Sequence, residues 1–256
     1  MRWAINEVDG VAMVQMQSNQ VNKQNDEFFS DLQTAFDLVE AELPGRPVVL
    51  HSLSKVFSAG LDFEYTFPLF ARRDEDEIGA WYRRFSDAML RVFTYPYPTV
   101  AAVNGHAIAG GLILALCCDH RVAARGELRC GLNEVPVGIP MPSLYTELVR
   151  LRIGSAATSE AILTGKLYSA EESHRLGFVQ ELVEPEILLD AARAHARLIS
   201  AECLPAYAHS KKMLLAPTMR WIEQDSRALD QLTVRAISSP AAQAAQARAL
   251  ARLKAR

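Results

Sequence analysis

The sequence predicts a mixed α/β fold in which buried strands alternate with helices up to about residue 184. Two observations support this prediction. Apolar runs rich in β-branched residues, at 48–50 and 99–103, each precede a turn that contains glycine, as buried strands do. The second turn leads directly into the apolar run 112–116, which is typical of the start of a buried helix.

The N-terminal elements follow from local pattern. Residues 3–16 predict a hairpin that turns at Asp9-Gly10, because apolar residues alternate on both sides of this pair. Residues 26–43 predict a helix, because apolar residues recur there at helical spacing, namely Phe29, Leu32, Phe36, Val39 and Leu43. Prolines then end this helix before the strand at 48–51.

The later elements divide the chain into two predicted domains. Residues 65–95 are predicted to be irregular and charged, with the charge run at 72–77 followed by an amphipathic helix. Pro185 is predicted to open a helix with one apolar stripe, formed by Leu188, Ala191, His195 and Leu198. Residues 206–256 are predicted to be helical, with boundaries at Pro205, Pro217 and Pro240. We therefore expect a core at 1–190 and a C-terminal helical region at 191–256.

Composition excludes several classes of protein. A net charge of −3 argues against a binder of nucleic acid, which needs clustered lysine and arginine. The four cysteines show no C-x-x-C spacing and no zinc-ligand pattern, so we expect reduced, buried thiols and no metal site. The N-terminus lacks an apolar signal core, and charges interrupt any stretch long enough to span a membrane. We expect a cytoplasmic protein with no membrane partner.

Two glycine-containing segments carry the functional signal, residues 57–62 and residues 104–111. Glycine allows sharp turns and a close approach of backbone to a ligand. A strand, a glycine turn and a helix N-terminus together leave unpaired backbone N–H groups, which the helix dipole makes more attractive to an anion. Two such N–H groups aimed at one point would form an oxyanion hole.

On these residues the chain resembles the crotonase superfamily, the enoyl-CoA hydratase/isomerase proteins. The resemblance covers nearly the whole length through motifs in matching order, namely 22–25, 57–62, 102–111, Cys118-Asp119, Leu163-Thr164-Gly165, 170–172 and 177–179. It implies a crotonase-like spiral of β-β-α units with a C-terminal helical trimerisation region. It also implies a homotrimer or hexamer and an acyl-CoA substrate of fatty acid metabolism. Coenzyme A is then part of the substrate, and no separate cofactor is expected.

The resemblance also implies site residues. The two oxyanion N–H groups belong to Leu61 and Gly110. Substrate-binding positions are carried over to a further set, namely Lys23, Ser58, Ala59, Gly60, Asp62, Phe63 and Gly111. Lys23 could touch a phosphate of coenzyme A or simply be solvated.

Glu134 is the candidate base. It is an isolated acid in the largely apolar stretch 130–139, and a carboxylate in an apolar pocket has the raised pKa that proton abstraction at neutral pH requires. The alternative is an ordinary solvated loop acid. The segment Gly131-Leu132-Asn133-Glu134 resembles in particular the Δ3-Δ2-enoyl-CoA isomerases.

One departure from the family pattern selects among reactions. Enoyl-CoA hydratases use two glutamates to hold and activate water, and the first lies three residues beyond the oxyanion glycine, where this chain has Ile113. We therefore expect an isomerase in which Glu134 alone moves the proton. A hydratase (a lyase) or another crotonase-type reaction remains open if Glu64 or an acid from 74–77 takes part. A non-catalytic paralogue that binds acyl-CoA is the alternative of another class.

Overall fold

The computed structural model describes residues 3–200, 203–224 and 226–255. Within them, nine strands form two sheets: β1 (Ala4–Val8), β2 (Val11–Met16), β3 (Val48–Ser52), β4 (Thr99–Val103), β5 (Ala107–Ile108), β6 (His120–Ala124), β7 (Cys130–Gly131), β8 (Leu167–Tyr168) and β9 (Glu181–Val183). The main sheet has the order β1-β2-β3-β4-β6-β9, and the small sheet has the order β5-β7-β8. Only β1 runs antiparallel to its neighbour in the main sheet.

Helices cover the sheet and form the C-terminal part of the chain. They are α1 (Asp26–Glu42), α2 (Phe63–Ala71), α3 (Glu75–Phe93), α4 (Gly110–Cys117), α5 (Ser143–Ile153), α6 (Ser155–Thr164), α7 (Ala170–Leu176), α8 (Leu188–Ser200), α9 (Leu204–Gln224), α10 (Ser226–Ile237) and α11 (Pro240–Lys254). Short 3-10 turns lie at Val135–Val137 and Pro185–Ile187. The mixed α/β prediction is confirmed.

The predicted N-terminal hairpin and first helix are present. Strands β1 and β2 pair around Asp9 and Gly10, whose φ values of 52° and 78° are those of a tight primed turn. Asn25 caps α1, since its side chain accepts a hydrogen bond from the Phe28 N–H at 3.1 Å.

The two faces of the main sheet belong to two apolar cores. Parallel strands β3, β4 and β6 send alternate side chains to opposite faces. Leu50, Ala101 and Ala123 join the larger core. Val49, Val100 and Val122 form the smaller core beneath α8. The glycine segments follow β3 and β4 at one end of this sheet.

Helix α8 packs on the sheet through a stripe that overlaps the predicted one, since Leu188, Ala191 and His195 face the sheet and only Leu198 does not. Its buried residues are Leu188, Ala192 and Ala196, whereas Leu198 is 73% exposed. Residues spaced by four share one helix face, and the small alanines allow the helix to lie close to the sheet. The predicted domain boundary at 190/191 falls within α8 and stays a prediction.

The prediction that the region 65–95 begins with an irregular segment is wrong, because α2 lies there, whereas the amphipathic helix predicted after the charge run is present as α3. Helices α2 and α3 fill this region, with only residues 72–74 between them. Asp74 caps α3 by accepting a hydrogen bond from the Glu77 N–H at 3.0 Å, and the acids of the first turn suit the helix dipole. The charge run therefore starts a helix whose other face is buried.

The C-terminal helices fold back onto the core. Pro217 lies inside α9 rather than at a boundary, and Pro240 occupies the first turn of α11. Helix α11 contacts both α2 and the turn at 135–137. None of the described helices is both long enough and apolar enough to cross a membrane.

Candidate active site

The two glycine segments meet at one end of the main sheet. The Ser58 N–H donates to the His106 carbonyl at 3.1 Å, and the Ile108 N–H donates to the Ser58 carbonyl at 3.0 Å. Because β3 and β4 are adjacent and parallel, both segments leave the sheet at the same edge. The structure thus brings together the two motifs that the sequence singled out.

The N–H of Leu61 has no backbone acceptor among the described residues, because Gln24 pairs with the residues on either side of Leu61. The Gln24 N–H donates to the Gly60 carbonyl at 2.8 Å, and the Asp62 N–H donates to the Gln24 carbonyl at 2.9 Å. These bonds flank Leu61, whose own N–H faces away from Gln24 and meets no backbone acceptor within the described part of the chain. It is therefore available to a ligand.

The N–H of Gly110 also has no backbone acceptor among the residues that the structure describes, for a different reason. Gly110 is the first residue of α4, so it has no acceptor one turn earlier in its own helix. The preceding Ala109 has φ 50° and ψ −122°, a strained conformation for a residue with a side chain. Two bonds hold it there, from the Ala109 N–H to the Gly131 carbonyl at 2.8 Å and from the Ile113 N–H to the Ala109 carbonyl at 3.0 Å.

Gln24 links the two segments, a role that sequence reasoning missed. Its backbone pairs on both sides of Leu61, and its side-chain Nε2 donates to the Gly110 carbonyl at 3.0 Å. Gln24 and Gly110 are 86 residues apart in sequence, so no spacing pattern could have indicated the contact. The result is one rigid unit that presents two unpaired N–H groups, an arrangement suited to an oxygen anion.

Glu134 is buried with part of its carboxylate unsatisfied. It is 6% exposed, and its Oε2 has no hydrogen-bond partner among the described residues. Burial raises the pKa of Glu134 to about 8. Its carbonyl accepts from the N–H groups of Val137 and Ile139, at 3.1 and 2.9 Å, which fixes the backbone. A carboxyl group with such a pKa can both take and return a proton near neutral pH.

Helix α3 connects the surroundings of Glu134 with those of Gly110. Burial first, and then the charge of Glu134, raises the pKa of Tyr82, so this phenol lies near the carboxylate. One turn later, Phe85 is so placed that a β-carbon on Gly110 would lie 3.5 Å from its Cζ. The Phe85 ring also packs on Tyr145 at 4.8 Å between centroids. Tyr82 and Phe85, one turn apart on α3, therefore lie near Glu134 and near Gly110, respectively.

The apolar Ile113 occupies the position at which the hydratases carry their first glutamate. It is 1% exposed and belongs to the main core. The acid that could compensate, Glu64, points outwards and lies 3.4 Å from the Lys23 ammonium group. Of the acids at 74–77, Glu75 pairs with Arg235 and Glu77 pairs with Arg72.

Lys23, Asp62 and Ala59 lie at the rim of the site. The Lys23 Nζ is 3.8 Å from Asp62 Oδ1, in addition to its contact with Glu64. Ala59 is exposed. Phe63 starts α2 and stacks on Phe67 with ring centroids 4.3 Å apart. Ala59, Asp62 and Phe63 belong to or directly follow the first glycine segment, and Lys23 contacts it through Asp62.

Ser58, Gly60 and Gly111 shape the loop from within. The Ser58 hydroxyl is fully buried, donates to the Asn22 carbonyl at 2.8 Å and accepts from the Gly60 N–H at 3.2 Å. A β-carbon on Gly111 would overlap the Ser58 carbonyl. Ser58 therefore holds the loop, and its hydroxyl is turned away from any ligand.

Comparison with known proteins places this geometry in a family. Residues 6–249 match the family model described as enoyl-CoA hydratase/isomerase. A Thermus thermophilus protein that carries the name of an enoyl-CoA hydratase is 38% identical over 200 residues, 76% of each chain. Enoyl-CoA delta isomerase 1 of Mus musculus is 31% identical over 206 residues, 80% of this chain and 68% of its own. The crystal structure of human mitochondrial delta3-delta2-enoyl-CoA isomerase superposes with a TM-score of 0.91 at 28% identity, over 99% of this chain and 98% of that one.

Proposed function

The chain belongs to the enoyl-CoA hydratase/isomerase family, and we propose that it acts as an isomerase that converts 3-enoyl-CoA to 2-enoyl-CoA with Glu134 as the only base. One observation carries the proposal. Glu134 is buried, has a pKa of about 8 and carries a carboxylate oxygen with no partner among the described residues, while the position of the first hydratase glutamate holds the buried Ile113.

The reaction needs one group to move one proton. The Glu134 carboxylate takes a proton from C2 of the substrate, and the electron pair moves into the thioester carbonyl to form a dienolate. The N–H groups of Leu61 and Gly110 donate to the resulting oxyanion. The same carboxyl group then returns the proton to C4, so that the C3–C4 double bond is lost and a conjugated C2–C3 double bond forms.

The apolar surroundings favour this reaction over water addition. Hydration requires a water molecule held and activated at C3, and Ile113 can neither accept a proton nor orient water. The same surroundings strengthen Glu134 as a base through its raised pKa. The isomerase names among the relatives agree with this choice, and the hydratase names make water addition the alternative reaction to test.

Coenzyme A would lie across the rim of the site. In this proposal the Lys23 ammonium group attracts a phosphate, Ala59, Asp62 and Phe63 border the entrance, and Ser58, Gly60 and Gly111 hold the loop. The proposal includes the trimer or hexamer that the resemblance implies, and light scattering of the purified protein measures that state directly.

The experiment is an assay with 3-enoyl-CoA and 2-enoyl-CoA esters of several chain lengths, following conjugated-enoyl absorbance and product mass. We expect conversion of the 3-enoyl ester, reduced about 10²- to 10⁴-fold in Glu134→Gln, as for loss of an acid–base group. The control is Glu127→Gln, an exposed acid on the same segment of chain, which should keep full activity.

Three outcomes would contradict the proposal. Water addition to the 2-enoyl ester without double-bond migration would replace isomerase with hydratase. Full isomerase activity in Glu134→Gln would remove Glu134 as the base. Binding of acyl-CoA, measured by calorimetry, with no turnover of either ester would indicate a non-catalytic paralogue or another thioester reaction.

A further inference from the structure

Three potential metal ligands converge on the face of the sheet that α8 covers. His120 begins β6, Glu181 begins β9, and His195 lies on α8. Glu181 pairs in register with Val122, whose side chain packs under α8, so Glu181 and His120 share this face of the sheet. One ligand atom from each of the three residues lies within 4.8 Å of those from the other two.

The His120 imidazole, which stacks on His195, has a ring nitrogen that no described residue uses. The two rings stack with centroids 3.4 Å apart and planes inclined by 11°. His120 Nε2 is buried and has no hydrogen-bond partner among the residues described. A buried nitrogen without a partner costs stability unless a ligand satisfies it. All three residues are half-buried, so an ion could reach them from solvent.

We propose that His120, Glu181 and His195 bind one divalent first-row transition metal ion, with zinc as the best fit. Two imidazole nitrogens and one carboxylate oxygen are a recognised zinc ligand set, and water completes the tetrahedron. Bond lengths of about 2.0 Å place tetrahedral ligand atoms roughly 3.3 Å apart. The present separations thus need closing by no more than about 1.5 Å, and one of the stacked rings must turn so that both nitrogen lone pairs face the ion.

The protonation state of the imidazoles suits a ligand role. Burial, and then the charges of His195 and Arg121, together lower the pKa of His120 to about 4. Burial also lowers the pKa of His195, although the carboxylate of Glu181 opposes this shift. Both shifts favour the neutral imidazole, the form that binds a metal.

The place of the cluster in the fold indicates what the ion would do. The cluster lies at the start of the parallel strands β6 and β9, whereas Leu61 and Gly110 lie beyond the ends of β3 and β4. It is thus at the opposite end of the sheet from the candidate active site. A metal ion would tie α8 to two strands where the helix otherwise packs through small alanines. Its role would be to stabilise this layer rather than to take part in the reaction.

The test uses the whole purified protein, stripped with EDTA, dialysed and titrated with zinc chloride by calorimetry. We expect one ion per chain, and a rise in the unfolding temperature as the ion binds the folded state only. Cobalt(II) should give the visible absorbance of a tetrahedral site. His195→Ala and Glu181→Gln should each weaken zinc binding at least tenfold and remove the cobalt band.

Two matched variants separate this site from incidental binding. His209→Ala and Cys203→Ser change an exposed imidazole and an exposed thiol elsewhere, and we expect both to bind zinc as the wild type does. Zinc binding that survives His195→Ala and Glu181→Gln unchanged, or no binding at micromolar zinc, would overturn the proposal. No spacing pattern indicates this site, because its three residues lie far apart along the chain.

Discussion

Gly60 packs so closely on Gly110 that a β-carbon on Gly60 would lie 3.2 Å from the Gly110 amide nitrogen and 2.6 Å from the Ile108 carbonyl oxygen. The neighbouring Leu61 N–H and the Gly110 N–H are the two donors of the proposed oxyanion hole. Their relative position therefore depends on the absence of a side chain at residue 60. Gly60 also has φ +81°, which L-residues rarely adopt.

Gly60→Ala is therefore expected to lower activity more than stability. The clash would push the two N–H donors apart, and loss of one such donor costs about 10²- to 10³-fold in rate. The control is Gly45→Ala, which has φ +78° but open space around the added methyl group. Gly45→Ala should lose only the unfolding free energy that backbone strain costs, roughly 1–3 kcal/mol. Comparable activity in the two variants would show that the contact between Gly60 and Gly110 does not fix the positions of the two N–H donors.

The pH dependence of the isomerase reaction should report Glu134. The base acts only when deprotonated, and its pKa is about 8. We expect kcat/KM to rise with pH and to level off above about pH 8, because this ratio follows the ionisation of the free enzyme. A plateau that already begins near pH 5 would mean that the working base is a solvated acid.

The same carboxyl group should make stability depend on pH. The pKa of Glu134 is 4.5 in the unfolded chain and about 8 in the folded protein. Between these pH values the folded protein therefore binds more protons than the unfolded chain. Its stability therefore falls as pH rises through this window. Glu134→Gln, which cannot ionise, should be more stable than the wild type at pH 9, by at most about 5 kcal/mol. At pH 4 the stabilities of the variant and the wild type should converge. Urea unfolding at pH 4 and pH 9 measures both stabilities. A stability difference that is the same at both pH values would contradict the prediction.

Local pattern was enough to predict the strands and turns that build the site. The hairpin at Asp9-Gly10, helix α1 and the strands β3 and β4 each follow from residues close in sequence. Glu134 was identifiable because it is an isolated acid in an apolar stretch. The apolar residues that surround Glu134 in the sequence predict that its segment is buried, so the sequence alone could indicate a buried acid.

The elements that were missed depend on contacts between distant residues. Helix α2 contains Pro68, which lacks a backbone hydrogen-bond donor and so disfavours a helix locally. Packing of Phe67 and Phe70 into the main core outweighs this cost. The links from Gln24 to Gly110 and from Tyr82 to Glu134 likewise join segments that only the fold brings together.

Asp119 should be the most sensitive polar residue away from the site. Its Oδ2 accepts from the Lys211 ammonium at 2.7 Å, the Tyr207 hydroxyl at 2.8 Å and the Thr99 N–H at 3.0 Å. Lys211 is 7% exposed. Burial lowers the pKa of Lys211, and the charge of Asp119 opposes that shift. The carboxylate thus keeps a buried cation in place between α9 and the start of β4.

Asp119→Asn should cost about 3–5 kcal/mol of unfolding free energy, because it leaves the Lys211 charge buried and unpaired. Tyr207→Phe removes one hydrogen bond and leaves the ion pair intact, so it should cost about 1 kcal/mol. Denaturant unfolding of the two variants and the wild type gives both values. Equal losses in the two variants would mean that Lys211 finds another partner or reaches water.

Gly138 should control how well α11 shields Glu134. It ends the turn that follows Glu134, and its carbonyl accepts from Gln246 Nε2 at 3.2 Å. A β-carbon on Gly138 would lie 2.6 Å from the Ala242 carbonyl oxygen. Gly138→Ala should therefore displace α11 and admit water to the carboxylate, which lowers the pKa of Glu134.

The measurement is the midpoint of the kcat/KM profile, which we expect to move below pH 8 in Gly138→Ala and to stay in place in Gly45→Ala. The two glycines share a φ of +78°, so backbone strain alone affects both. The shift in midpoint isolates solvent access from stability, because a merely destabilised enzyme loses rate without changing the ionisation of its base. An unchanged midpoint in Gly138→Ala would mean that α11 does not keep water from Glu134.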